Sequence, residues 1–323
     1  VGEADAAIHR VCEVLEQGDL GPESVAGTAG LWWPEAEAAP AAPVRMEVSR
    51  LPAWSNLWSP DAELSDMALV EVSRSCKRAC TFCASSRLAQ GACRMVPGDR
   101  VLDRIPDDAP RVGLVGTAVS DHPDLERMLA HLVREGRGVG VSSIRVDRLD
   151  RELLGLLTRG GLRTLTVGVD GLSERLRRSV RKGVTEDDLV RAAELAAKAG
   201  LRRMKLYQLV GLPGETDEDV AEFVALVERL RRVVPVTVTV TPFVPKSGTP
   251  LVDADQLPVK ETQRRLKRLQ QGLRRVARIR PDSPRWAWVE WRIARGDAET
   301  GEAILRAERD GGTYADYRRA LGD

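Results

Sequence analysis

Six short runs rich in β-branched residues recur along the chain, and what lies between them constrains the fold more than any other feature. They are MALVEVS from Met67, RVGLVG from Arg111, VGVSSI from Val139, LRTLTVGV from Leu162, RMKLYQLVG from Arg203 and PVTVTVTPF from Pro235. Roughly 20 to 35 residues separate most neighbours, too many for a hairpin and enough for a helical crossover, so the strands should run parallel with helices outside them. The spacers support this. In HPDLERMLAHLVREG the residues Leu125, Met128, Leu129, Leu132 and Val133 fall on one helical face. TEDDLVRAAELAAKAG opens with Thr185 and Asp188 in capping-box register and stops at Gly200, and TDEDVAEFVALVERL repeats the pattern from Thr216. A doubly wound sheet and a barrel both satisfy the alternation. Polar or glycine-rich segments follow almost every run, as they do where several strand ends feed one mouth, so the expectation is an α/β fold with a partial (β/α)6 TIM-like barrel.

WWPEAEAAPAAPVRMEV, residues 32–48, is Ala-, Pro- and Glu-rich and reads as a linker after a short N-terminal helix. RWAWVEWRIARG and YADYRRAL near the end read as a helical appendage. The expected division is an N-terminal helix and linker over 1–66, a core over 67–280 and a helical extension over 281–323.

The 323 residues carry a formal charge of +1, which argues against a surface built to neutralise nucleic-acid phosphates. The run from Arg264 to Arg280 holds eight basic residues and no acidic one, and its leucines share one helical face. An outer solvated helix is expected there. The most apolar stretch, VPVTVTVTPFVP, falls well short of the roughly 20 residues that cross a bilayer. The first residues offer neither a basic nor an apolar leader segment, so cytoplasm is the expected location and no membrane partner is expected.

Three of the five cysteines crowd into SRSCKRACTFCAS as Cys76, Cys80 and Cys83, directly after a strand. Zinc would want a fourth protein ligand, which Cys93 could supply, and a non-catalytic zinc- or iron-sulfur-binding interaction module is the alternative reading of the chain. A [4Fe-4S] cubane held by three thiolates leaves one iron open to an external chelate. Cys12 and Cys93 read as small buried hydrophobes rather than ligands.

CKRACTFC, with its aromatic before the last cysteine, resembles the signature of the radical S-adenosylmethionine (SAM) superfamily. From about Ala68 to Leu273 the order of segments resembles the subgroup whose members often carry an N-terminal cobalamin-binding domain: EVSRSCKRACTFC, VGLVGTAVSDHPDL, VSSIRVDRL, LTVGVDGLSERLRRSVRKGVTEDDL, KLYQLVGLPGETDED and TPFVPKSGTP. The resemblance implies that Cys76, Cys80 and Cys83 hold a [4Fe-4S] cluster whose open iron binds SAM. Reductive cleavage of the sulfonium then yields a 5'-deoxyadenosyl radical.

By the same resemblance Phe82 packs near the adenine, and Gly116, Thr117 and Ala118 stand where the family often has Gly-Gly-Glu to meet the SAM amino group. Ser143, Arg145, Asp170, Ser173 and Arg177 match SAM-facing positions, and Gly211 allows a close approach of backbone to ligand. Asp170 stands in place of a glutamate, which shortens that reach. An external flavodoxin or ferredoxin is implied as reductant, with Arg74, Lys77 and Arg78 around the cysteine loop as its docking patch. The substrate is expected to be a small molecule or peptide. VGEADAAIHRVCEVLEQGDL resembles the end of a cobalamin-binding Rossmann domain, so cobalamin, where used, is expected from a missing region or a separate chain, and corrinoid-assisted methyl transfer is the reaction this would serve. Only Cys12 and Cys93 remain for an auxiliary cluster, which disfavours a methylthiotransferase-like second cluster.

Overall fold

A computed structural model describes residues 3–18, 21, 23–31, 44–55, 57–88, 93–142 and 144–322. In chain order its elements are α1 (Asp5–Glu16), β1 (Met67–Arg74), α2 (Ser85–Leu88), β2 (Arg94–Met95), α3 (Gly98–Leu102), β3 (Arg111–Gly116), α4 (Leu125–Arg134), β4 (Gly138–Val141), α5 (Arg151–Arg159) and β5 (Thr164–Gly168). There follow α6 (Glu174–Ser179), α7 (Glu186–Lys198), β6 (Arg203–Val210), α8 (Asp217–Arg231), β7 (Val236–Pro242), α9 (Val259–Leu273), β8 (Arg278–Pro281), α10 (Pro284–Ala294), α11 (Ala298–Arg309) and α12 (Tyr314–Leu321).

All six expected strands are present, and two short ones join them at the edges. The order is β2-β1-β3-β4 in one sheet and β5-β6-β7-β8 in the other, parallel throughout except for β2, which runs against β1. Two four-stranded sheets among the described residues make an open wall rather than a closed cylinder. They meet at β4 and β5, where the Ile144 N–H donates to the Thr166 carbonyl at 2.9 Å. This is the partial TIM-like barrel, with helices outside it.

Period-2 alternation decides which way each strand faces. Val70, Val72, Val112, Leu114, Leu165, Val167, Met204, Leu206, Val238 and Val240 are buried and share one core with Met128 and Leu129 of α4, Leu189 of α7, Phe223 of α8 and Leu269 of α9. Emptying a fully buried position such as Phe223 costs about 3–5 kcal/mol by transfer and cavity terms. The caps fix the helix starts: Thr185 and Asp188 exchange backbone-to-side-chain hydrogen bonds at 3.1 Å each, and Asp219 accepts from the Thr216 N–H at 2.7 Å.

The basic run from Arg264 to Arg280 is not one helix. It stops at Leu273, and Arg278–Pro281 forms β8 against β7. Helical leucine spacing ends at Leu273, and within β8 only Ile279 stands between two arginines. Three of the run's eight cations are paired: Arg264 and Arg268 with Asp217, Arg265 with Glu215 and Glu261. The expected linker over 32–48 falls mostly outside the described residues; Val44 to Val48 lie within them, and Val48 opens a 3-10 turn over Val48–Arg50. Helices α10 to α12 build a second, smaller core of Val289, Ala303, Ala307, Tyr317 and Leu321. Among the described residues no helix is long and apolar enough to cross a membrane.

Candidate active site

β1 ends at Arg74, and the chain then turns sharply enough to put two non-glycine residues, Ser75 (φ 67°) and Ala79 (φ 53°), in the left-handed region. Five non-glycine residues have positive φ among those described, and four of them, with Asp170 (φ 60°) and Arg181 (φ 55°), lie at this end of the wall. Such conformations cost energy and persist where surrounding packing enforces a shape that matters. The enforcing contacts are visible. The Thr81 N–H donates to the Val180 carbonyl at 3.1 Å, the Cys80 thiol to the Arg181 carbonyl at 3.6 Å, and the Cys83 N–H to the Cys80 carbonyl at 3.1 Å.

The three cysteines line one cavity of about 150 Å3 with Phe82, Thr117, Ala118, Ser120, Ile144, Arg145, Gly168, Asp170 and Lys182. Its walls come from the C-terminal ends of β1, β3, β4 and β5, the end where barrel enzymes place their chemistry. Roomier cavities lie elsewhere: about 590 Å3 between α5 and α7, about 500 Å3 beside Trp54 and Glu71, and about 430 Å3 among the C-terminal helices. None of those contains a thiol.

Charge at the cavity is balanced internally. Lys182 donates to Asp170 at 2.5 Å, and Arg145 donates to Asp147 at 2.9 Å and to the Lys182 carbonyl at 3.4 Å. Gly168 leaves room for the first pair, since a Cβ there would stand 3.1 Å from Lys182 Nζ and 3.2 Å from an Asp170 oxygen. Arg78, between the first two cysteines, donates twice to Asp121, whose carboxylate is buried and also receives Arg148. Burial alone would raise the Asp121 pKa; the hydrogen bonds and charge of Arg78 and Arg148 overcome it and hold the carboxyl below its usual range. Burial pushes the Cys80 thiol up, with Lys182 pulling it back in part.

The resemblance-based residues separate into groups. Phe82, Thr117, Ala118, Arg145 and Asp170 line the cavity with the three cysteines. Gly116 instead backs onto β1, where a Cβ would stand 2.4 Å from Ser73 Oγ, so it permits close strand contact. Ser143 lies outside the described residues. Ser173 is fully buried, caps α6 by accepting from the Leu176 N–H, and donates to Asp219. Arg177 is also fully buried, donating through Nε to the Val184 carbonyl at 2.8 Å and through Nη1 to the Gly171 carbonyl at 3.1 Å. Burial lowers its pKa. Neither is among the cavity's lining residues, and Arg177 clasps the loop that carries Lys182. Gly211 (φ 89°) lies under Leu257 and donates to Glu215 at 2.8 Å. Of the expected docking cations, Arg74 is engaged by Glu3, Asp5 and Glu71 and Arg78 by Asp121 and Asp147; Lys77 is exposed.

Lys182 and Asp121 were not legible as site residues. Lys182 sits in the loop after the arginine-rich α6, twelve residues after Asp170, and only the chain reversal there brings the two together. Cys93 comes closer than its spacing suggests: its thiol donates to the Ser75 carbonyl at 3.4 Å behind the cysteine loop, but it does not line the cavity.

The donor set fits an iron-sulfur cluster. Three soft sulfurs on one loop share a cavity with no carboxylate or imidazole beside them except the lysine-held Asp170. Among the described residues no three His, Cys, Asp or Glu side chains stand close enough to hold one ion in common, whereas a cubane takes each thiolate on a different iron.

Comparison with known proteins agrees. Residues 70–245, more than half the chain, match the family model described as the Radical SAM superfamily. Uncharacterized protein MJ0966 of Methanocaldococcus jannaschii is 32% identical over 191 residues, 56% of this chain and 41% of that protein. Uncharacterized methyltransferase PH0819 of Pyrococcus horikoshii is 24% identical over 243 residues, 71% of this chain and 52% of its own. Ribosomal protein uS12 methylthiotransferase RimO of an Anaeromyxobacter species is 32% identical over 235 residues, 65% of this chain and 48% of its own. The chain thus spans about half the length of these relatives. With its signature loop folded onto the mouth of an open α/β wall, the chain belongs to the radical SAM superfamily.

Proposed function

We propose that this chain reductively cleaves SAM at a [4Fe-4S] cluster held by Cys76, Cys80 and Cys83, in the service of a methyl-transfer reaction. One observation carries the reading: three thiols and a set of polar groups suited to a zwitterionic ligand line the same cavity at the strand ends. Bound there, the cluster and SAM would supply one electron and a 5'-deoxyadenosyl radical, the hard chemistry that a protein does not make itself. The chain's own residues have simpler tasks. The thiolates hold three irons. Arg145 and Lys182 offer charge to a carboxylate, Asp170 and the carbonyl groups around Thr117 and Ala118 accept from an ammonium group, and Phe82 offers a face to an adenine. Lys182 must then exchange Asp170 for the ligand, a swap of one charge-assisted hydrogen bond for another.

Methyl transfer is supported by the names of two relatives, a methyltransferase and a methylthiotransferase. Cys12, expected to be buried, is instead exposed on α1, and Cys93 lies half-buried behind the cysteine loop, so this chain brings no second cysteine cluster for sulfur insertion. A corrinoid would come with another region or chain. A flavodoxin or ferredoxin would reach the cluster past the exposed Lys77. The same proposal assigns the chemistry to residues 67–280, flanked by 1–66 and 281–323.

Anaerobic reconstitution with iron and sulfide, followed by dithionite and SAM, tests the reading. 5'-Deoxyadenosine or S-adenosylhomocysteine is expected, and neither from a fully loaded cluster would refute it. One zinc per chain with no iron uptake would favour a metal-binding module instead.

A further inference from the structure

A substrate of the proposed reaction has to reach the cysteine cavity, and the second sheet turns one face toward it. Gly168 of β5 marks that face, because its missing Cβ would point at Lys182 and Asp170 of the cavity wall. Parallel pairing sets Tyr207 beside Gly168, Thr239 beside Tyr207 and Arg280 beside Thr239. Residues paired in register share a face, and so do residues two apart on a strand. The next row is therefore Thr166, Lys205, Thr237 and Arg278. Between these rows lie Val167, Leu206, Val238 and Ile279, which point the other way into the helix-covered core.

These two rows hold three cations and no carboxylate, in a chain whose 49 basic and 48 acidic residues are otherwise balanced. Lys205, Arg278 and Arg280 make no ion pair among the described residues. Two carboxylates stand on this side beyond these rows: Asp170, paired with Lys182, and Asp282, which keeps its charge while accepting from the Thr241 hydroxyl at 2.6 Å. Lys205 is held by a neutral partner, donating to Tyr207 Oη at 2.9 Å with its ammonium 4.5 Å from the ring centroid, which fixes its position without cancelling its charge. The Thr239 hydroxyl is buried and has no hydrogen-bond partner, a state that native structures rarely leave unexplained.

We infer that this face binds an anionic substrate, one bearing a phosphate or carboxylate group, through Lys205 and Arg280 with the hydroxyl groups of Tyr207 and Thr239 between them. The inference rests on the proposed radical chemistry and names its substrate class. Here an incoming anion would find two cations flanking two hydroxyls in one row and the next, leading away from the cavity, and charge-assisted hydrogen bonds supply both affinity and orientation.

Titration calorimetry with pyrophosphate on the SAM-loaded, reconstituted chain at low salt provides the test. Binding is expected, weakened about tenfold in Lys205→Met and likewise in Arg280→Gln, the loss of one charge-assisted contact. Lys205→Arg should restore it, and Lys267→Gln on the exposed side of α9 should bind as the parent does. A parent chain that takes up no pyrophosphate, or Met and Gln variants that bind like the parent while remaining folded by circular dichroism, overturns the inference. If 5'-deoxyadenosine forms but pyrophosphate does not bind, this inference falls alone. If pyrophosphate binds but a loaded cluster yields no SAM product, the radical reading falls and takes the substrate role with it.

Discussion

Each thiol of the cysteine loop is expected to matter equally, because a cubane with two protein ligands is labile whichever is missing. Cys76→Ala, Cys80→Ala and Cys83→Ala should each lose most bound iron after reconstitution, while Cys93→Ser should retain it. Iron and sulfide assays decide this, and iron loss in Cys93→Ser would show that the thiol behind the loop is a ligand. Asp121 makes a second case. Its carboxylate is fully buried beneath the part-exposed guanidinium groups of Arg78 and Arg148, so Asp121→Asn weakens its charge-assisted hydrogen bonds and should destabilise the chain by about 1–3 kcal/mol. Thermal melts would show the loss, and iron uptake should fall with it because Arg78 sits inside the signature. The signature itself was legible because three thiols at fixed spacing have few other uses. Arg177 shows the opposite. Its place in the sequence suggested a ligand contact, but it is wholly buried and braces Gly171 and Val184, and burial of a side chain cannot be read from its neighbours in the chain.

Among elements, the six strands and the helices α4, α7 and α8 were foreseen, whereas α5, which buries Leu153, Leu154, Leu156 and Leu157, was not singled out, and the missed strands are those where periodicity is short. β2 has two residues and β8 four, too few for an alternating pattern to emerge from an arginine-rich run. The N-terminal segment is tied to β1 and β2 through Glu3. That carboxylate receives Arg94, Arg74 and the Met46 N–H. Burial would raise its pKa, but these hydrogen bonds win and lower it from 4.5 to about 2. A depressed carboxylate contributes stability that is complete above its unfolded value and fades as pH falls toward the folded one. Docking of α1 should therefore weaken between pH 4.5 and about 2. Limited proteolysis across that range would reveal cleavage near the N-terminus growing as pH drops. In Glu3→Gln the susceptibility should already be present at neutral pH; an identical pH profile in both chains would remove Glu3 from the account.

At the scale of the molecule, the wall is two sheets joined at a seam, and the candidate site straddles it. Ile144 and Arg145 reach the cavity from beyond β4, whereas Gly168, Asp170 and Lys182 reach it from β5 and the loop after α6. Few bonds cross: the Ile144 N–H to Thr166 and the Arg145 guanidinium to the Lys182 carbonyl are two of them. Within the second sheet, by contrast, β6 and β7 pair over seven consecutive positions. Local opening free energy follows such differences, so the seam should open more readily than the sheet interiors. A ligand that binds only the closed arrangement stabilises it by mass action, about 2.7 kcal/mol at a hundred times its dissociation constant. Hydrogen exchange should accordingly show β6 and β7 amides slowest in the unloaded chain and Ile144 among the faster. Reconstitution with iron, sulfide and SAM should slow Ile144 and Lys182 together, on opposite sides of the seam. Protection gained on one side alone would mean that the cavity belongs to a single sheet, and that closing the seam is no part of assembling the site.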